Sequence, residues 1–226
     1  MVFAAGPFNG RRENVLTDRK RKSIGLQRGY APLLVFEEWM DLWYSLAEVT
    51  DLLTHFLPEA RVDSIYDIDL AELKAKGIRG IITDLDNTLV GAKDKLATPA
   101  LVNWLERVKA EGFQIVVVSN NTRARVSAFA EPLRLGFIYS ARKPRSKAFK
   151  RALEIMNLQP REAVVVGDQL LTDMFGGNRL GIHTILVRPV SIGDENIFTR
   201  FNRRIEKWVI SRLKRKGIIP WEDYER

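Results

Sequence analysis

Residues 81–91 read IITDLDNTLVG, an apolar run that ends in two carboxylates, Asp84 and Asp86, one residue apart. The run is short enough for a buried strand, and small polar residues are what usually end one. Two like charges this close repel unless something positive lies between them. The pair therefore marks either an ordinary turn or the seat of a cation. What decides is whether the rest of the chain repeats the pattern.

It does. Apolar runs of strand length recur at 113–119 (FQIVVVS), 137–140 (FIYS), 163–167 (AVVVG) and 183–187 (HTILV), with helical stretches at 98–111, 122–134, 144–156 and 170–180 between them. A short helix is expected over LAELKAKG, opened by a capping box of Asp69 and Glu72 and stopped at Gly77. Alternating strands and helices with short connections imply an α/β fold, a parallel sheet with helices on both faces.

In such open sheets, ligands bind beyond the carboxyl ends of the strands. The first run presents Asp84, Asp86 and Thr88 there, and the second Ser119, Asn120 and Asn121. The third is followed by Lys143 and by Pro144, read as opening a helix, and the fourth presents Gly167 and Asp168 with Thr172 and Asp173 just beyond. Taken singly, each group reads at least as well as a turn, a helix cap or, for Lys143, a solvated basic face. Their convergence, in order, at one edge of a sheet is the functional signal. Clustered carboxylates suit a hard divalent cation such as Mg²⁺. Lys143 and Ser119 suit phosphoryl oxygens. A carboxylate free to attack phosphorus forms an aspartyl-phosphate.

As a set, DLDNT, Ser119, Lys143 and GDQLLTD resemble the four motifs of the haloacid-dehalogenase (HAD) superfamily of phosphohydrolases, over residues 79–188. The resemblance implies a HAD-like, Rossmannoid fold in which Asp84 is the nucleophile and Asp86 the general acid/base. It implies Mg²⁺ held by Asp84, the carbonyl of Asp86 and Asp168, with Thr88 and Asp173 in support. Ser119, Asn120 and Lys143 would bind the phosphoryl group. The lead-in LPEARVDSIYDIDLAELKAKGIRG and the tail FTRFNRRIEKW resemble the YqeG-like branch, within subclass IIIA, which extends the likeness to residues 55–226. Eukaryotic relatives of that branch include phosphatidylglycerophosphate phosphatases, so a lipid phosphomonoester is the substrate implied. A soluble sugar or nucleotide phosphate is the alternative, as is a nucleic-acid- or ribosome-associated factor using a basic surface.

Spacing adds that there is no cap domain. Only 34 residues separate Asp84 from Ser119 and 23 separate Ser119 from Lys143, which one loop, one helix and one strand nearly consume. An open site suits a phosphate carried on something bulky.

Outside this core, residues 1–48 read as an N-terminal extension, 49–190 as the phosphatase domain and 191–226 as a basic tail. Residues 1–28 hold seven Lys/Arg against two acids, whereas 29–60 hold six acids and no Lys/Arg. The first stretch reads as a flexible arm, or as sequence ahead of a later start at Met40. Residues 36–56 place Phe36, Trp39, Met40, Trp43, Leu46, Leu53 and Phe56 at helical spacing. In the tail, Ile197, Phe201, Ile205, Trp208 and Val209 share one helical face, with Arg200, Arg203, Lys207 and Lys214 on the other. Such a helix either lies on an anionic membrane through residues 196–216 or packs on the sheet with its arginines in water. The net charge of +8 fits anionic partners without choosing among them.

Several classes are disfavoured. There are no cysteines, hence no disulfide, thiol nucleophile or cysteine-held zinc, and a cytoplasmic setting is expected, with peripheral contact at the inner face of the membrane. With only His55 and His183, a histidine-nucleophile phosphatase is disfavoured. The third strand carries no aspartate, unlike a receiver domain.

Overall fold

The structure, a computed structural model, describes residues 52–191 and 197–218, with the main chain alone over 197–201. The basic arm, residues 36–51 of the amphipathic stretch and the last eight residues lie outside the described residues. Six parallel strands form one sheet: β1 (Ala60–Val62), β2 (Gly80–Thr83), β3 (Gln114–Val118), β4 (Gly136–Ile138), β5 (Ala163–Gly167) and β6 (His183–Val187). Their spatial order is β1-β6-β5-β2-β3-β4. The helices are α1 (Leu70–Ala75), α2 (Pro99–Ala110), α3 (Arg123–Ala130), α4 (Ser146–Met156), α5 (Phe175–Asn178) and α6 (Ile197–Arg215).

The unbroken Val/Ile runs of the central strands are explained by burial on both faces. Ile81, Val117, Val164 and Val166 face one core with residues of α1, α2 and α3. Ile82, Val116, Val118 and Val165, at alternate positions, face a second core under α4, α5 and α6. Local signals set the helix ends. Thr98 Oγ1 accepts from Leu101 N ahead of Pro99 at the first position of α2, and Asn157 closes α4 at φ 53°. Asp69 accepts from the Ala71 and Glu72 amides, but Glu72 pairs with Lys76 rather than completing the expected capping box.

The structure corrects the reading in four places. The edge strand β1, paired with β6, was not anticipated; three residues between polar neighbours carry no periodic signal. The helix expected over 170–180 is a π-helical turn, Leu170–Met174, followed by the short α5. Pro144 does not open α4, which begins two residues later at Ser146. The fourth correction concerns α6, whose inward side carries Glu206, Val209, Ile210 and Leu213, while Trp208 is 60% exposed. Spacing of three and four along a helix keeps those inward positions on one stripe, and Trp208 falls off it. Nearby, Leu53 and Phe56 are buried in the same core, and Phe56 stacks on Phe175 with centroids 4.4 Å apart. Among the described residues no helix is long and apolar enough to cross a membrane.

Among the described residues no domain is inserted between the strands that carry the site. Between β2 and α2 the chain makes a turn closed by an Asp86–Val90 bridge. Asn87 supplies the left-handed conformation there, at φ 64°, which asparagine tolerates better than most residues.

Candidate active site

The strand order reverses at β2. The chain runs outward to β3 and β4 on one side and to β5 and β6 on the other, and ligand crevices form at such switch points. Register aligns the groups there. Thr83 lies opposite both Val117 and Val166, so Asp84, Ser119 and Asp168 leave the sheet at one edge. Asp84 N donates to Val166 O at 3.0 Å and Ser119 N to Ile138 O at 2.9 Å, which ties the strand ends together.

Lys143 stands at the centre. Its Nζ lies 2.8 Å from Asp84 Oδ1 and 2.7 Å from Asp173 Oδ1, with all three side chains buried. Asp173 Oδ2 accepts from Gln169 N at 3.2 Å and from Thr172 Oγ1 at 3.3 Å. A Cβ on residue 167 would lie 2.3 Å from Asp173 Cγ, so the glycine of GDQLLTD makes room for this approach. Asp168 is held from two sides: Thr88 Oγ1 donates to Oδ1 at 3.4 Å, and Arg203 Nη2 reaches Oδ2 at 2.7 Å. Oxygens of Asp84, Asp168 and Asp173 all lie within 4.8 Å of one another.

Burial dominates the electrostatics. It pushes the Asp84 carboxyl up to about 6, against the pull of Lys143, and Asp173 adds to the push. It carries Asp168 well above the usual carboxylate range in spite of Arg203. Burial alone would lower Lys143, but Asp173 and Asp84 outweigh it and the ammonium is held above its ordinary range. Negative charge is thus in excess at the site, and the donor set of three converging carboxylates fits a hard divalent cation.

The remaining expected residues are placed as follows. The Asp86 carboxylate lies in the turn after Asp84, where Arg125 and Asn121 take both of its oxygens. Ser119 Oγ accepts from Asn121 N at 3.1 Å, which shapes the loop after β3. Asn120 stands beside Lys143. Its amide is spent on the Lys143 main chain, with Oδ1 accepting from Lys143 N at 2.7 Å and Nδ2 donating to Lys143 O at 3.4 Å. It therefore fixes Lys143.

Three residues at the site were not anticipated: Arg125, Arg203 and Glu206. Arg203 was placed on the outward face of the tail helix, toward a membrane or water, yet its Nη1 also donates to the Asp168 carbonyl at 2.9 Å. Glu206 Oε1 accepts from Leu171 N at 3.0 Å, and burial raises its carboxyl to about 7 against the pull of Arg203. Through these two residues α6 grips the loop that carries Asp168. A usable signal existed for Glu206, the lone acid in the nineteen residues of α6.

Known proteins share these features. A family model described as HAD-hydrolase-like matches residues 140–195, and one described as mitochondrial PGP phosphatase matches residues 45–130. The probable phosphatase YqeG of Bacillus subtilis is 52% identical over 168 residues, covering 74% of this chain and 97% of that protein. Phosphatidylglycerophosphate phosphatase 1 of Arabidopsis thaliana (chloroplastic/mitochondrial) is 31% identical over 174 residues, and its chloroplastic namesake in Chlamydomonas reinhardtii 28% over 177. Each of those two matches covers 73% of this chain, but only 50% and 64% of the relatives' own lengths. Identity over nearly the whole Bacillus protein, on a fold and strand-end set of this kind, shows that the chain belongs to the YqeG branch of the HAD-like phosphatases.

Proposed function

We propose that the chain is a Mg²⁺-dependent phosphomonoesterase that works through an aspartyl-phosphate on Asp84, with a lipid phosphomonoester of the phosphatidylglycerophosphate type as substrate. The observation that carries the chemistry is the gathering of Asp84, Asp168 and Asp173 around Lys143 at the switch point.

Asp84 and Asp168, with the Asp86 carbonyl, would hold the cation, which when bound offsets the charge of the carboxylates and of the phosphoryl oxygens. Lys143 and Ser119 bind and orient the phosphoryl group. An oxygen of Asp84 bonds to phosphorus as the bond to the leaving oxygen breaks, and Asp86 delivers the proton that this oxygen needs. Water then attacks the aspartyl-phosphate, Asp86 takes its proton, and inorganic phosphate leaves with Asp84 restored.

Two features support the lipid. Among the described residues no domain is inserted between the site-bearing strands, which suits a head group reached in a bilayer. The outward side of α6 presents Arg204, Lys207, Trp208, Lys214 and Arg215, with no acid among them. Each basic residue near an anionic bilayer adds about 1 kcal/mol, and tryptophan favours the interface. The names of the plant and algal relatives agree with this substrate.

The test is phosphate release from phosphatidylglycerophosphate in anionic vesicles and from sugar and nucleotide phosphates, with Mg²⁺ or EDTA. Activity should require Mg²⁺ and favour the lipid. Asp84→Asn should abolish it with the fold intact by circular dichroism, and Asp86→Asn should leave only a trace. Near-native turnover by Asp84→Asn would overturn the mechanism, and faster turnover of a sugar phosphate would overturn the lipid assignment.

A further inference from the structure

Arg125 is the group at the site whose chemistry the mechanism above leaves unused. It lies in the first turn of α3, three residues after the Thr122 cap. Its Nε and Nη2 both donate to Asp86 Oδ1, at 3.1 and 2.9 Å, and Nη2 also points to Gly91 O at 3.4 Å. Asn121 Nδ2 fills the other carboxylate oxygen at 3.0 Å. Among the described residues no group accepts from the two hydrogens of Arg125 Nη1. The pair is not sealed: the side chains of Arg125 and Asp86 keep 15% and 20% of their surface in solvent.

The position of that spare edge follows from the role of Asp86. A group that passes a proton to the leaving oxygen must sit beside the leaving group, so whatever is attached to that oxygen lies against Asp86 and its partner. A guanidinium there, half committed to a carboxylate and half unclaimed, suits a second anion on the leaving group. An arginine can serve a carboxylate and a phosphate at once because its five N–H donors point along separate edges.

We infer that Arg125 selects substrates whose leaving group carries a second phosphate, binding it through Nη1 while Nε and Nη2 hold Asp86 against the leaving oxygen. Arg125 is thus a specificity and positioning residue. This inference rests on the aspartyl-phosphate reading above and on Asp86 as its proton donor. The second anion is the phosphodiester of a phosphoglycerol head group or the second monoester of a small bisphosphate; the chemistry recognised is the same.

The test uses soluble substrates, so membrane contact does not enter. With full-length protein and Mg²⁺, kcat/KM is measured for glycerophosphoglycerophosphate, the deacylated head group, for fructose 1,6-bisphosphate and for glycerol 3-phosphate. At least one of the first two should exceed glycerol 3-phosphate by about tenfold or more, the worth of one charge-assisted hydrogen bond. Which of them does so identifies the source of the second anion. Arg125→Gln should reduce that preference to within about threefold of unity, with the loss chiefly in KM, and Arg125→Lys should retain part of it. Equal rates on all three substrates by the unaltered protein, or an equal loss on all three in Arg125→Gln, would overturn the assignment. The first of these outcomes needs no variant to fold. Absence of turnover on all three by a protein that hydrolyses phosphatidylglycerophosphate in vesicles would overturn this assignment alone, and absence on the vesicles as well would remove the phosphatase mechanism and this assignment with it.

Discussion

Asp168 shows how a single side chain can be committed before any ligand arrives. One of its oxygens accepts from Thr88, the other from Arg203, and its own carbonyl accepts from Arg203 as well. A carboxylate buried this deeply drifts towards its neutral form unless cations hold it ionised, and a protonated carboxyl is a poor metal ligand. Arg203 therefore stands behind Asp168 as a partner that fixes its orientation and opposes, without overcoming, the effect of burial on its charge. Arg203→Leu should raise the Mg²⁺ concentration needed for half-maximal activity by about 10- to 100-fold, the usual range when such a supporting partner is lost. Arg203→Lys, which keeps the charge but not the two-point grip on carboxylate and carbonyl, should fall between. A Mg²⁺ titration of phosphate release reads this directly, and an unchanged half-saturation point in Arg203→Leu would show that Asp168 is oriented without it.

At the scale of elements, α6 is the instructive one. Its composition left open whether it lies on a membrane or packs on the sheet; Val209, Ile210 and Leu213 complete the second core, and cutting the chain ahead of it would expose that core. Membrane contact is therefore better tested by single changes on its two sides. Leu213→Ala should cost about 2–5 kcal/mol by leaving a cavity, measured by denaturant unfolding. Trp208→Ser should leave stability nearly unchanged but weaken sedimentation with anionic vesicles; unaltered vesicle binding would overturn a membrane contact by this side of α6. The same helix shows what a one-dimensional reading misses. β2, β3 and β5 were legible because strands buried on both faces must be apolar at every position, and the site was legible because strand ends are where such sheets bind ligands. Arg203 and Arg125 were not, since an arginine that reaches a buried carboxylate is written the same way as one in water. The π-helical turn at Leu170–Met174 was hidden too. It carries Asp173, which meets Lys143 at 2.7 Å, and such turns concentrate at functional sites.

For the molecule as a whole, the site is a concentration of unfavourable charge that the fold must carry when no cation is bound. Asp84, Asp168 and Glu206 are all raised by burial, Asp84 to about 6 from 3.8 and Glu206 to about 7 from 4.5. Between these limits the unfolded chain has released protons that the native protein keeps. Stability rises with pH only where the unfolded state binds more protons, and here the native state binds more. The contribution is therefore favourable at low pH and is lost as pH rises from about 4 towards 7. Lys143, raised in the native state, works in a window above its ordinary range and does not affect this interval. The thermal midpoint of the protein in EDTA should fall by several degrees between pH 5 and pH 7.5. Mg²⁺ should recover more of it at pH 7.5, where the carboxylates are ionised and no proton competes for them. Glu206→Gln, which keeps an acceptor for the Leu171 amide but cannot ionise, should flatten part of the decline without changing the Mg²⁺ response. A midpoint in EDTA that rises over this interval would mean that the buried carboxylates are stabilised by their partners more strongly than burial opposes them.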